Sequence, residues 1–493
     1  MVHWKLRGAG VLVASLLGST AVWADVTPEE VWTSWSNSYQ AFGYDVTVGS
    51  QDRAGDTLTL NDVVMTAETP DAISSMKIEA LYLRDLGDGT VEVTTSETSD
   101  LETTAKAEDE EIHMVMQMRQ KDMKAIVSGT PDNLAYDMTA PEIVIDMDQV
   151  VSNGETQPVK MQMTLLDSKG IYQLEQQDGQ KVTTNFETGT LKFAVSGADP
   201  ADGATFTMTG NLADLVAGGD MFVPVGVDMN LPGAALKAGM TMDFDVTYGQ
   251  GNYEIDGESP DGPFKLMAAA ESGTFGLKLA QEGFAYAAGG KGADISVLVP
   301  DFPLPMNVKL AETLADFAMP LAASDEAAPF NAVIRLVGLE VSDELWSIFD
   351  PTATLPRDPA SLVVDLSGMM RPMIDLFSEE AAQSQMPPVE MRSLDVNDVQ
   401  LRAAGAELTG TGAMTFDNSA GMPMPIGEVN LRLAGANALM DNLVAMGLMP
   451  QDQVMFARMM LGLYAVPSGD DTLTSKIEFK EGGKIFANGQ QVQ

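Results

Sequence analysis

The segment that decides the fold class is Met240-Thr241-Met242-Asp243-Phe244-Asp245-Val246-Thr247-Tyr248. Apolar and polar residues alternate along it without exception, so one face of the segment is apolar and the other is polar. This pattern is typical of a β-strand in an antiparallel sheet with one buried face. The segment therefore predicts a sheet with one apolar and one wet face.

The same alternation recurs along the chain, at residues 191–195, 205–209, 277–279 and 477–480. A glycine-rich turn at residues 86–90 joins two further runs, 76–84 and 91–93, which predicts a β-hairpin. We therefore predict a mainly β fold of the α+β class, built from extended, curved antiparallel sheets.

An amphipathic helix is predicted near the start. Thr27 is placed to cap it, Pro28 takes its first position, and Glu30 completes a capping box. One helix face then carries the aromatic residues Trp32, Trp35, Tyr39 and Phe42. Such a stripe is more often packed on a core than arranged around a ligand, so we interpret it as packing.

A few helices are predicted late in the chain, where apolar residues recur at helical spacing. The residues concerned are Leu310, Leu314, Phe317 and Leu321; 343–349 after Ser342; Met370, Met373, Ile374 and Phe377; Leu439, Leu443 and Met446; and 454–463. The last two segments, separated by Gly447 and Pro450, predict a C-terminal helical hairpin. Segment 454–463 is apolar nearly all round, so we expect both its sides to be buried.

Three stretches are typical of loops. Residues 94–111 are rich in Thr, Ser and acids, 378–388 contain a double proline, and 322–329 follow a predicted helix. We place a domain boundary at the third stretch, between a β-rich N-terminal region, 25–322, and a β-rich C-terminal region with helices, 330–493. One continuous elongated architecture is the alternative.

Two distant segments resemble each other, Leu58-Thr59-Leu60-Asn61-Asp62-Val63-Val64-Met65 and Leu394-Asp395-Val396-Asn397-Asp398-Val399-Gln400-Leu401. Both place an Asn-Asp pair inside an alternating strand. The likeness indicates a duplicated sheet module or a chance match between short segments.

The N-terminus predicts export. Lys5 and Arg7 precede an apolar run at residues 8–17, and the small residues Val22 and Ala24 mark a signal peptide cleaved after Ala24. The run is shorter than the roughly 20 apolar residues of a spanning helix. We therefore predict that residues 1–24 are removed and that the mature chain, without a transmembrane segment, works in the periplasm.

The charge of the chain excludes one class of partner. The formal net charge is −43, from 28 basic and 71 acidic residues. Such a surface repels phosphate backbones, so we predict no nucleic-acid partner.

The residue types also exclude several kinds of chemistry. The chain has no cysteine, and of its two histidines, His3 leaves with the signal peptide. Zinc sites of the usual His/Cys kind, thiol catalysis and thiolate-bound clusters are therefore ruled out. His113 lies in a strand and is predicted to point away from the apolar face. No phosphate-binding, dinucleotide-binding or nucleophile motif is found, so we predict no catalytic, cofactor-binding or metal-binding residue.

Two other residue types raise specific alternatives. Asp243 with Asp245, and Asp146 with Asp148, place paired carboxylates on one strand face, as a glycosidase needs, but so many acids produce such pairs by composition alone.

Methionines recur in Met-x-Met patterns at Met114, Met116 and Met118, at Met161 and Met163, and at Met422 and Met424. Thioether clusters bind Cu(I), but at strand spacing the pattern more simply fills an apolar face. The flexible methionine side chain also suits varied apolar ligands.

The last third of the chain carries a family pattern in residues 336–339, 344–346, 349–351, 355–360, 362–368, 443–448, 459–461, 476–479 and 482–490. It includes Phe349-Asp350-Pro351 and Leu355-Pro356-Arg357-Asp358-Pro359-Ala360. The pattern resembles the exported bacterial family of domain of unknown function 2125 (DUF2125), found mainly in alphaproteobacteria. The resemblance implies a Gram-negative periplasmic location, and no catalytic residue can be carried over from it.

Three functions agree with these observations. The favoured one is a non-catalytic periplasmic protein that binds a lipid or another apolar envelope molecule on an antiparallel sheet. The second is an envelope interaction or assembly scaffold with fully packed sheet faces. The third is a carboxylate-dependent glycan hydrolase. Arginines that converge on an apolar slot, such as Arg335, Arg357 or Arg371, would favour the first by offering a headgroup contact.

Overall fold

The computed structural model describes residues 25–69, 71–107, 110–199, 202–227, 231–300, 302–384, 388–419 and 423–493. The predicted signal peptide, residues 1–24, lies outside the described residues. The chain is 68% strand and 12% helix, which confirms the mainly β fold class.

The strands form one antiparallel sheet. They are β1 Tyr44–Ala54, β2 Thr57–Glu68, β3 Ala72–Asp85, β4 Val91–Thr95, β5 Thr98–Ala107, β6 Glu110–Lys121, β7 Lys124–Thr130, β8 Asn133–Ser152, β9 Glu155–Gln157, β10 Val159–Gln176, β11 Gly179–Ala198, β12 Thr205–Pro224, β13 Thr241–Tyr248, β14 Gly251–Ser259, β15 Gly262–Ala270, β16 Ser272–Leu279, β17 Gly283–Val299, β18 Phe302–Pro320, β19 Ala328–Val341, β20 Ala360–Pro372, β21 Val389–Ala403, β22 Ala406–Asp417, β23 Met424–Ala434, β24 Val466–Gly469, β25 Thr472–Lys480, β26 Lys484–Ala487 and β27 Gln490–Gln491.

The sheet is a meander in which each long strand runs antiparallel to its neighbours along the chain. In four places one long strand is interrupted: β4 continues into β5, β6 into β7, β13 into β14, and β15 into β16. Each such pair lies end to end along one edge of its neighbour, as β4 and β5 do along β3. The predicted hairpin of β3 and β4 is confirmed.

A line of backbone bends, which we call the crease, crosses the sheet. In β2, β10 and β12 the residue at the crease is an aspartate in the left-handed region, Asp62 (φ 51°), Asp167 (φ 55°) and Asp214 (φ 52°). The crease continues through the interruptions between the paired short strands. Because a left-handed residue changes the side from which later side chains emerge, the alternation resumes out of phase. Leu60 and Val63 consequently lie in the same buried core.

The helices are α1 Pro28–Ala41, α2 Pro232–Lys237, α3 Asp343–Phe349, α4 Glu379–Gln383, α5 Ala436–Ala445 and α6 Gln451–Tyr464. The capping box of α1 is confirmed, since Glu30 N–H donates to Thr27 Oγ1 and the Thr27 N–H donates to the Glu30 carboxylate. The C-terminal hairpin of α5 and α6 is also confirmed. The expectation that both sides of α6 are buried is wrong, because Met455, Phe456 and Leu463 are exposed.

Two helices predicted from apolar spacing are wrong. Leu310 and Phe317 lie in strand β18, on opposite sides of the crease, where out-of-phase alternation imitates a helical spacing. Met370, the first residue of the other predicted helix, lies in strand β20. The segment after Pro372 forms bends and turns. In both cases tertiary strand pairing decided the structure.

The predicted loop at residues 94–111 is also wrong. It contains the whole of β5 and parts of β4 and β6, in agreement with the strand preference of its threonines.

Residues 322–327 do form an irregular connection, but β18 and β19 on either side of it pair with each other. The hydrogen-bonded ladder therefore runs across the position of the predicted domain boundary. Segment 378–388 contains the short α4, and its residues 385–387 lie outside the described part.

Candidate functional site

One face of the sheet carries apolar residues from strand to strand. Side chains at paired positions of neighbouring antiparallel strands lie on the same face. One such row of paired positions runs from β2 to β23 through Leu58, Leu83, Val93, Ala125, Met138, Gly170, Phe186, Ala217, Val246, Phe275, Ala288, Ala315, Ile334, Val364, Val399, Gly410 and Leu431. No position in this row is polar.

A second apolar row lies on the other side of the crease. It runs from β1 to β18 through Val46, Met65, Met76, Leu101, Met116, Met147, Met161, Val195, Met208, Ile255, Leu266, Val297 and Met306. Because the alternation changes phase at the crease, both rows emerge on one face of the bent sheet. We call this face the trough.

The opposite face is mainly polar, although it also carries Ile126, Ile171 and the buried Val333. The row one residue from the first apolar row includes Arg84, Glu92, Asp137, Asn185, Asp245, Asp316, Asp365 and Asp398. Pairs such as Arg84 with Glu92 and Lys169 with Glu187 lie partly in water on this side. The sheet therefore has the one apolar and one wet face that the alternation predicts.

Helix α1 covers the trough at its N-terminal end. It packs against buried residues from both sides of the crease, including Leu58 and Leu83 on one side and Met65 and Ile78 on the other. Since one helix touches both sides, the trough is concave at this end. The packing predicted for Trp32, Trp35 and Tyr39 is confirmed.

A cavity of about 350 Å³ lies between α1 and the trough. It is lined by Val31, Trp32, Trp35, Tyr39, Met65, Met76, Ile78, Leu81, Leu83, Val93, Thr94, Thr95, Ser99, Met118, Met123, Lys124, Ala125, Tyr136, Met138 and Tyr172. The volume lies in the range of about 300–1,000 Å³ typical of small-molecule sites. Aromatic side chains from α1 thus do more than fill a core, and the aromatic stripe borders a space that a ligand can occupy.

Two glutamines hold α1 on the trough. The Ser34 hydroxyl donates to Gln176 Oε1 at 3.2 Å, and Gln176 Nε2 donates back to the Ser34 carbonyl at 3.3 Å. Ser38 and Gln180 repeat the arrangement one helical turn later. Gln176 and Gln180 flank the turn between β10 and β11, so this hairpin clamps the helix.

Burial raises the pKa values of three tyrosines that line the cavity, Tyr39, Tyr136 and Tyr172. Burial, together with the nearby Tyr39, raises the pKa of Tyr172 to about 12. Burial also raises the pKa of Tyr136, with Tyr172 as the next contributor. The phenols of the cavity are therefore neutral across the physiological pH range.

Over β13 to β19, the described part of the chain leaves the trough partly exposed. Phe275 and Ile334, both in the first apolar row, are 37% and 39% exposed. The rings of Phe275 and Tyr286 meet edge to face with centroids 5.6 Å apart. A shallow groove runs beside them over β13 to β19, bordered by Val246, Ala315 and Leu336. Contiguous exposed apolar surface of this kind marks a binding surface in soluble proteins.

His113, the single histidine among the described residues, lies away from the trough. His113 Nδ1 is 3.1 Å from Thr104 Oγ1 on the neighbouring strand, which confirms its predicted polar surroundings.

The paired acids sit beside basic neighbours. Asp146 pairs with Arg119, Asp243 pairs with Lys278, and the side chain of Asp148 lies outside what the structure describes. These carboxylates belong to the ion-pair pattern of the wet face.

The three arginines do not converge. Arg335 pairs with Asp365, Arg371 pairs with Glu390, and Arg357 pairs with Asp343. Each arginine is engaged by its own acid, so the structure does not assemble the predicted headgroup contact.

The methionine patterns of β6 and β10 lie on the trough. Met116, Met147 and Met161 are paired neighbours on three strands, between Leu101 and Val195. Met422 lies outside the described residues. In the described part of the chain, no group of three or more His, Cys, Asp or Glu side chains is arranged to hold a metal ion.

The family pattern around Asp350 builds a loop. Asp350 is fully buried, and its carboxylate accepts hydrogen bonds from Thr354 N–H and Leu355 N–H, both at 2.9 Å. Burial would raise the pKa of Asp350, but these donors and the nearby Arg357 hold it below its usual value. The Arg357 guanidinium lies 5.6 Å from the ring centre of Trp346. These residues hold α3 against the following loop.

The crease was missed by sequence reasoning, because the alternation of apolar and polar residues changes phase there. One signal of it was present in the resemblance between residues 58–65 and 394–401. In β21, Asn397 is an extra residue between paired positions, so Val396 and Val399 both emerge on the trough. Asp62 has the same effect in β2. The repeated Asn-Asp pair thus marks the phase change.

Comparisons with known proteins agree with the resemblance seen in the sequence. Among the described residues, no helix combines the length and apolar character needed to cross a bilayer. No curated protein matches the chain, and no solved structure matches it. A family model described as "Uncharacterized protein conserved in bacteria (DUF2125)" matches residues 312–486, which span the sheet from within β18 to β26. Residues 312–486 of this chain are therefore similar to the DUF2125 family, as the sequence pattern predicts.

Proposed function

We propose that this protein is an exported, non-catalytic protein of the bacterial periplasm that binds a lipid or a similar apolar molecule in the trough. The observation that carries the proposal is the continuity of the apolar rows, which connect the cavity under α1 to the uncovered face around Phe275 and Ile334. The signal-peptide features of residues 1–24 support the location.

The length of the trough supports a lipid-like ligand. Neighbouring strands lie about 4.8 Å apart, so the row from β2 to β23 follows a path of roughly 75 Å along the sheet. A packed scaffold would bury such a face, whereas here its central part is exposed. Methionine-rich lining also adapts to chains of different shape.

The first experiment is native mass spectrometry of residues 25–493 purified gently from periplasm, with organic extraction of the bound material. We expect a reproducible, stoichiometric lipid. In a variant with Phe275→Asp and Ile334→Asp we expect bound lipid to be lost, because two carboxylates would have to be desolvated against an acyl chain. Both side chains are partly exposed, so the fold should survive the change.

The matched control is Asn185→Asp, which adds a carboxylate on the wet face without a change of size. We expect it to keep its lipid. A wild-type protein that stays bare when challenged with envelope lipids would contradict the proposal, and crosslinking for a protein partner would then be the next experiment.

A further inference from the structure

The cavity under α1 contains one buried polar group without a protein partner. Tyr136 is 7% exposed, and its hydroxyl oxygen makes no hydrogen bond within the described part of the chain. The other phenols of the cavity have a polar neighbour, since the side chain of Ser38 lies near that of Tyr172 and the side chain of Trp35 near that of Tyr39. An unpaired buried hydroxyl costs free energy unless a ligand or water satisfies it.

The surroundings of Tyr136 limit what can pair with it. Its ring meets that of Tyr172 edge to face, with centroids 5.5 Å apart, and the other walls of the cavity include Met76, Met118 and Met138. A partner must therefore bring a hydrogen-bond acceptor on an apolar body. A charged acceptor is costly in such walls, whereas an acyl carbonyl oxygen is not.

The volume limits the size of that body. A cavity of about 150 Å³ holds one benzene molecule, so one of about 350 Å³ holds roughly a dozen carbon atoms. This is enough for one acyl chain and too little for a whole two-chain lipid.

We propose that the cavity binds a single acyl chain whose carbonyl oxygen accepts a hydrogen bond from the Tyr136 hydroxyl. The inference rests on the proposed lipid-binding function and narrows it. The rest of an esterified ligand would lie along the open trough.

The test uses the fluorescence of Trp32 and Trp35, which line the cavity, in residues 25–493 stripped of bound lipid. The titrants are methyl dodecanoate, dodecanoic acid and tridecane. In Tyr136→Phe we expect about fivefold weaker binding of the ester, the acid or both, because one neutral hydrogen bond is lost. The affinity for tridecane should not change. The ester and the acid distinguish an acyl ester from a free fatty acid.

The control is Tyr172→Phe, which removes the phenol hydroxyl that has the Ser38 side chain as a neighbour and should not separate the ester from the alkane. Equal weakening of all three titrants in Tyr136→Phe, or no weakening of any, would overturn the role of the hydroxyl while leaving the trough proposal intact. A wild-type protein that binds none of the three overturns the acyl site, and the fate of the trough proposal is then decided separately by native mass spectrometry.

Discussion

At the scale of single residues, the crease depends on a left-handed aspartate beside a glycine. Asp62 lies opposite Gly49, and a Cβ added to Gly49 would lie 3.0 Å from the Asp62 Cβ. Gly189 faces Asp167 and Gly249 faces Asp214 in the same way. Asp and Asn tolerate the left-handed region better than other residues with a Cβ. The concave shape of the apolar face thus depends on a few backbone conformations.

Asp62→Val should destabilise the N-terminal part of the sheet. A β-branched residue at this positive φ costs about 1–2 kcal/mol relative to Asp. We expect a lower urea midpoint in the fluorescence of Trp32 and Trp35, which pack beside β2.

The matched control is Asp62→Asn, which keeps the left-handed preference and loses only the exposed ion pair with Lys77 at 3.1 Å. Its midpoint should lie close to wild type, because exposed pairs contribute about 0–1 kcal/mol. Equal midpoints for the valine and asparagine variants would show that the bend does not depend on residue 62.

At the scale of elements, α1 acts as a cover held by the β10–β11 hairpin. Its ends are anchored differently, by the capping box at Thr27 and by the glutamine clamps at Ser34 and Ser38. The helix lies over a cavity, so apolar packing beneath it is incomplete. Polar clamps can therefore control how often the helix lifts from the sheet.

Gln176→Ala combined with Gln180→Ala should make α1 open more often. Each substitution removes hydrogen bonds to a buried serine, and each such bond contributes about 1 kcal/mol. We expect amide hydrogen exchange in residues 31–41 to rise by roughly tenfold or more, with exchange in β17 and β18 unchanged.

Gln173→Ala serves as the control for these substitutions. Gln173 lies in the same strand, where it is hydrogen-bonded to the exposed side chain of Asn133. We expect wild-type exchange in α1. If the double variant also exchanges like wild type, the clamps do not hold the helix.

At the scale of the whole molecule, a long apolar face is carried by a strongly acidic protein. The net charge is −43, so the excess acidic side chains repel one another. Most of the basic side chains in ion pairs are partly exposed. The same charge keeps a protein with exposed phenylalanines and methionines in solution. Charge and apolar surface are therefore separated onto the two faces of one sheet.

Raising the NaCl concentration from about 10 mM to about 0.5 M should raise the thermal midpoint, because the Debye length falls from about 30 Å to below about 8 Å and self-repulsion is screened. Circular dichroism of the strand signal measures the midpoint. KCl should act like NaCl, since screening does not depend on the cation. A midpoint that falls with salt would show that attractive pairs outweigh the net repulsion.

Much of the architecture could be predicted from short stretches of sequence. Strict alternation in residues 240–248 predicted β13, and the capping box at Thr27 predicted the start of α1, because both depend on neighbours along the chain. Periodicity failed around Leu310 and Phe317, since the change of phase at the crease imitates a helix. The threonine-rich segment after Thr94 became strands because its neighbours pair with it.

The sequence by itself determined the class of the protein: one-faced strands, an acidic surface, an apolar lining rich in methionine, and a segment typical of export. Only the tertiary structure decided that these strands join into one creased sheet with both apolar rows on the same side. It also decided that α1 covers a cavity and that Tyr136 lies in it without a partner. The physical reason is that strand register and backbone bends bring together residues 142 positions apart, such as Ser34 and Gln176, which local patterns do not record.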